Sequence, residues 1–150
     1  MLVIMTDAAT TRSTLIDRVN RSWADLQATL ERLDERQLTA PGPEGWAVKD
    51  HLAHLARWEE YVLAVMDGSD GYDVLGLEPG QEDDENAVLQ RRDAGLSLAE
   101  VRSLLAGAHA RVLAHLETLG EAVLEQHLRK IEGNTHEHLD EHAAWIRELV

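Results

Sequence analysis

Apolar residues return every three or four positions along four separate stretches of this chain, and no stretch shows the two-residue alternation of a half-buried strand. That periodicity allows helices and little else. In the first stretch Leu15, Ile16, Val19, Trp23, Leu26, Leu30 and Leu33 mark one face of a long helix, with Thr10 or Thr11 as its N-cap. The segment LTAPGPEGW, with Pro41, Gly42, Pro43 and Gly45, should end it. A second helix is expected from about Ala47 to about Asp67, stopped by Gly68, with Val48, Leu52, Leu55, Val62 and Met66 on its apolar arc. The third opens on Ser97, Leu98, Ala99 and Glu100, a capping-box pattern in which hydroxyl and carboxylate satisfy unpaired backbone N–H groups. It turns Val101, Leu105, Ala108, Val112, Leu116 and Leu119 inward. The connector EAVLEQHLRKIEGN, for which a partial helical extension is one reading, then leads to a fourth helix, capped by Asn134 or Thr135.

Residues 68–96 are rich in glycine and acid and read as a long crossover with a short helix around Asp84 to Arg92. One short link followed by one long link predicts an all-α four-helix bundle of up-down-down-up order, with the second and third helices parallel. The 150 residues form a single domain, 1–150.

Charge narrows the function. With 28 acidic and 14 basic residues the formal charge is −14, which argues against nucleic acid or an anionic membrane as partner. The opening MLVIMTDAATTR has no basic region before its short apolar run, so neither a signal peptide nor a membrane span is expected, and the protein reads as cytoplasmic. The absence of cysteine rules out disulfides, thiolate ligands and a cysteine nucleophile. Any metal must be held by histidine and carboxylate.

The eight histidines therefore carry most of the argument. His138 and His142, four residues apart in the last helix, point the same way as Leu139, Trp145, Ile146 and Leu149, and two imidazoles at that spacing can grip one divalent cation. A third ligand must come from elsewhere. In the second helix His51 lies near the middle of the apolar arc, and His54 lies at its edge, where a side chain reaches a cleft. His136 and His127 read as solvated, His109 as a border residue of the third helix, and His115 as inward-facing near its end. Glu59 falls at the angle of Val48 and Met66, so its carboxylate needs a partner: Arg18, Arg21, a metal-bound water or a metal.

The stretch WAVKDHLAHLARWE, residues 46–59, followed far downstream by HLDEH, residues 138–142, resembles the DinB/YfiT-like metalloenzyme superfamily, with its ClbS/DfsB-type and maleylpyruvate-isomerase-type branches looking close. The resemblance implies a four-helix bundle, often a homodimer, that holds a divalent metal through three histidines, here His54, His138 and His142. His51 stands where such proteins usually have an aliphatic residue. ClbS-type relatives can lack the triad, so two other readings stand beside a metalloenzyme. One is a metal-independent hydrolase or sequestering protein for a reactive toxin, and the other is a non-enzymatic binding or dimerisation module.

Three neutral imidazoles leave a divalent cation an open position, and a zinc-type ion brings the pKa of bound water to about 7 from about 15.7. Zinc or nickel is the expected metal. The resemblance implies hydrolysis of a small organic substrate, or transfer and isomerisation with a low-molecular-weight thiol that this chain would have to borrow. Glu59 and Asp50 are the candidate proton-transfer groups, while Asp140 and Glu141 face outward. Trp58, Tyr61, Trp145 and parts of the crossover are expected to wall the cleft. HLDEH is not the HExxH of zincins, because Leu139 occupies the position of the catalytic glutamate.

Overall fold

The computed structural model describes residues 2–79, 81 and 84–150, with side chains from residue 11 onward. The described residues are mostly helical, with no strand among them. In chain order they form α1 (Leu2–Glu31), α2 (Glu35–Thr39), α3 (Val48–Met66), α4 (Gly71–Leu75), α5 (Glu85–Asp93), α6 (Leu98–Thr118), α7 (Glu121–Asn134) and α8 (His136–Leu149). None of the described helices is long and apolar enough to cross a membrane.

Two apolar layers organise the long helices. One joins Leu26 and Leu30 of α1, Leu52 and Leu55 of α3, Val101 and Leu105 of α6, and Leu139 and Ile146 of α8. The other joins Leu15 and Val19, Val62 and Met66, Val112 and Leu116, and Leu124 and Ile131 of α7. Early residues of α3 and α6 thus share a layer with late residues of α1 and with α8, while α7 belongs to the other layer. It follows that α1 and the α7–α8 rod run toward that layer while α3 and α6 run away from it, an up-down-down-up order. Arg12 fastens the second layer from α1 by donating to the carbonyls of Leu116 and Leu119, which the end of α6 leaves unpaired.

Helix α3 is central, and every residue from His51 to Ala56 is buried. A helix covered on all sides must place its polar groups against other protein. At its start the Asp50 carboxylate accepts from the Ala47 N–H at 2.8 Å, satisfying a donor the helix cannot.

Several boundaries differ from expectation. Helix α1 begins at Leu2, well before Thr10 and Thr11, and the side chain of Thr10 lies outside the described residues. It ends at Glu31, and the short α2 follows, held by a reciprocal box between Asp34 and Gln37. The connector is a full helix, α7. Neither proposed cap of the last helix works as one: the Thr135 hydroxyl donates back to Ile131 O at 2.6 Å, and the Asn134 amide donates to Lys130 O at 2.8 Å. Both side chains serve the end of α7 instead, because its last carbonyls lack partners. Ser97 does accept from Glu100 N at 3.1 Å, but the Glu100 carboxylate receives the serine hydroxyl rather than a backbone donor.

The crossover is tied down rather than loose. Arg57 of α3 grips Asp93 of α5 through two hydrogen bonds of 2.9 and 2.7 Å, and Arg92 donates to the carbonyls of Leu75 and Gly76. The Asp93 carboxylate, with Glu60 adding to it, pushes the Arg57 guanidinium above its ordinary pKa. Leu75, Leu77 and Leu89 form a small third cluster with Trp58, Tyr61 and Tyr72 packed on it. Gly71 permits this, since a Cβ there would fall 2.2 Å from the Tyr61 ring.

Candidate metal site

Four imidazoles meet where the first half of α3 faces α8. His54 Nε2 lies 2.9 Å from His138 Nε2, and His51 Nδ1 lies 2.8 Å from His142 Nδ1. The ring centroids of His54 and His142, and of His138 and His142, are each 4.6 Å apart. His54, His138 and His142 each present a ligand atom within 4.8 Å of the others. Nitrogens bound to one tetrahedral ion at about 2.0–2.1 Å stand about 3.3 Å from one another. The observed spacings bracket that value, so modest side-chain movement suffices to enclose an ion.

The electrostatics suit a cation. Burial disfavours the charged form of every ring, and the neighbouring imidazoles add to the effect at His54 and His142. His54 is lowered to about 3 and His138 to about 4, while His142 is depressed further and His51 is lowered against the opposing charges of Asp50 and Glu44. Each ring is thus neutral at physiological pH and carries one nitrogen lone pair. The Nδ1 atoms of His54 and His138 are buried without a hydrogen-bond partner among the described residues. An unpaired polar cluster of this kind is expensive to bury and is relieved by a ligand that takes up lone pairs.

The group forms the floor of a cleft of about 660 Å³. Trp46, Trp145, Pro43 and Leu149 give it an apolar and aromatic wall, and Glu44, Glu141 and Glu148 supply its charges. Arginine and lysine are absent from the described lining. The 40–47 loop reaches the wall by close packing on α8, where a Cβ at Gly42 would meet the Leu149 side chain at 2.4 Å. From the crossover Asn86 joins the wall, and its side-chain oxygen accepts from the Trp58 indole at 3.2 Å.

Several expected site residues lie elsewhere. Trp145 lines the cleft, but Trp58 and Tyr61 support it from behind, packed on the crossover cluster. Asp50 does not reach the cleft lining, because its carboxylate caps α3. Glu59 is fully buried away from the cleft, and the side chain it faces is not Arg18 or Arg21 but His109, with Oε1 3.6 Å from Nδ1. That separation is too long for a hydrogen bond. His109 is itself buried and stacks on Trp23 at 3.8 Å, so its border reading fails because α1 closes over it. His136 is buried rather than solvated, because the turn between α7 and α8 folds it against Glu132 at 3.7 Å. His115 is half-exposed rather than inward, paired with Asp67 at 3.2 Å. His127 is half-buried on α7.

Trp46, Glu44 and Glu148 were not foreseen as site residues, whereas Asn86 belongs to the crossover that was expected to help wall the cleft. Only Trp46 had a local signal, as the sole large aromatic in the breaker segment directly before α3. A second metal-like grouping, Glu132, His136 and Glu137, is already answered by cations: Arg18 lies 3.8 Å from Glu132, and Arg129 pairs with Glu137. Among the described residues the α3–α8 group has no such cation, and its donor set of three neutral imidazoles fits a divalent transition metal.

No curated protein and no solved structure matches this chain. Residues 18–149, which contain all four clustered histidines and nearly the whole bundle, match the DinB superfamily, and the chain belongs to it.

Proposed function

We propose that this protein is a metal-dependent hydrolase of a small organic substrate, with zinc or nickel held by His54, His138 and His142. The observation that carries this reading is the convergence of three neutral imidazoles on the floor of an open cleft. A closed structural site would bury all four ligand positions, whereas a catalytic one keeps access. When bound, the ion supplies Lewis acidity toward a carbonyl or a similar electrophile and activates water.

The chain's own side chains do the rest. Trp46 and Trp145 pack edge-on against His51 and His142 and offer a flat or apolar substrate a surface beside the histidines. Glu44, Glu141 and Glu148 are the carboxylates with access to that substrate, so proton transfer falls to this group rather than to Asp50 or Glu59. Three carboxylates and no basic side chain on the described wall favour a neutral or cationic substrate. The same wall would repel a thiol that carries free carboxylates, which favours water over such a thiol as the nucleophile and makes hydrolysis the preferred reading.

The test begins with metal analysis of protein purified without a nickel column. About one equivalent per chain is expected, and less than about one-tenth, with no recovery on adding zinc, nickel, manganese or iron, overturns the reading. Loaded protein is then screened on ester, amide and epoxide sets that contain neutral, cationic and anionic congeners. Turnover of neutral or cationic members that disappears in His142→Ala supports hydrolysis, whereas turnover only on adding a thiol moves the assignment to transfer.

A further inference from the structure

We infer that His51 is a positioning residue that acts through His142: it accepts the Nδ1 proton of His142, leaves the Nε2 lone pair of that ring free for the ion, and is not itself a ligand. The inference rests on the metal-binding reading above and adds to it a fourth histidine.

A neutral imidazole has one N–H and one lone pair, so two Nδ1 atoms 2.8 Å apart share a single proton. Two arrangements satisfy that contact. If His51 donates, the remaining proton of His142 sits on Nε2, and the ring has no lone pair to offer. If His142 donates, its Nε2 is bare. Ion binding selects the second arrangement, and with it the tautomer of both rings. The group of nitrogens within 4.8 Å of one another consists of His54, His138 and His142, with His51 outside it. His51 is also held as a support should be. It is buried, its ring meets Trp46 at 5.1 Å and Trp145 at 6.3 Å, and its backbone N–H is bonded to Ala47 O in the first turn of α3.

The contrast with the other ligands sharpens its role. Among the described residues the Nδ1 atoms of His54 and His138 have no hydrogen-bond partner, so of the three rings His142 is the one seen there with its second nitrogen fixed. Metal-bound histidines commonly donate their second N–H to an oxygen acceptor, and loss of such a partner lowers affinity about 10- to 100-fold. Here a nitrogen lone pair takes that place.

Zinc affinity of the wild type, His51→Leu and His51→Asn is measured by chelator competition, alongside the visible spectrum of each cobalt form. The leucine variant should bind zinc about 10- to 100-fold more weakly at unchanged stoichiometry, and the asparagine variant, whose amide oxygen can accept, should recover much of the loss. The cobalt bands should keep their wild-type position and intensity in both. A collapse or shift of those bands makes His51 a ligand and overturns the inference, as does equal zinc affinity in all three proteins. Nitrogen-15 spectra of the histidine rings in the metal-free proteins give an independent reading. His51→Leu should redistribute the His142 tautomers, and an unchanged distribution counts against the inference. If the wild type binds no ion while that redistribution occurs, the proposed function fails but the coupling of the two rings stands.

Discussion

Helix α3 carries two buried polar groups that differ in what surrounds them. On its early turns His51 and His54 face His138 and His142 of α8 at the floor of an open cleft. Farther along, Glu59 faces His109 of α6, which is roofed by Trp23 of α1. Both groups are desolvated, and both contain polar atoms without a partner among the described residues. They differ in access and in charge. The histidine group can turn its lone pairs toward a ligand that arrives from solvent, whereas the Glu59 carboxyl is sealed among apolar neighbours and has its pKa raised by that burial, with His109 only partly opposing. Buried polarity alone does not make a site; an opening beside it does.

Breaking the first group should have the largest effect. His142→Ala removes the ring at the centre of the cluster, and metal affinity should fall by at least about a hundredfold, read by elemental analysis after dialysis. Little change in bound metal would mean the two regions do not differ as argued.

Acid provides the next test. His54 and His138 have folded pKa values of about 3 and 4, below the ordinary 6.5, so between those limits the unfolded chain binds more protons than the folded one. Stability of the metal-free protein should therefore fall as pH drops from about 7 to 5, by about 2 kcal/mol or more, measured from urea midpoints. His54→Gln combined with His138→Gln should flatten that dependence.

Glu59 should respond with the opposite sign. Its folded pKa is raised, so the stability it contributes is complete below the ordinary carboxylate pKa and is lost as pH rises through the folded value. Glu59→Gln should stabilise the chain by about 1 kcal/mol at pH 7 and by less at pH 4, with metal content unchanged. A loss of bound metal in this variant would connect the two regions.

The smallest effect on stability is expected at the cleft wall. Trp145 is 44% exposed, so Trp145→Leu should shift stability by no more than about 0.5 kcal/mol while weakening the binding of aromatic ligands, which fluorescence titration would detect.

Periodicity made most of this architecture readable from the residues. The apolar positions of α1, α3, α6 and α8 recur at helical spacing, and the predicted limits of the second helix, Ala47 and Asp67, are the residues flanking α3. His138 and His142 were legible as a pair because four residues on a helix nearly complete a turn. His54 was legible as their companion through the motif that leads α3. The register of contacts between distant helices was not legible. A helical wheel reports which way a side chain points and not what stands opposite it, so His109 passed for a border residue and Glu59 for a catalytic carboxylate until α1 and α6 closed over both.

Local chemistry along the chain therefore determined the helices, their breaks and the candidate ligands, because backbone preference and apolar spacing act over a few residues. Only the tertiary structure decided that His51 meets His142 across 91 positions, that Asp50 is used as a cap, and that Glu44, Glu141 and Glu148 share one wall. Those outcomes depend on how four helices pack side by side, and packing depends on the shapes of all the faces together.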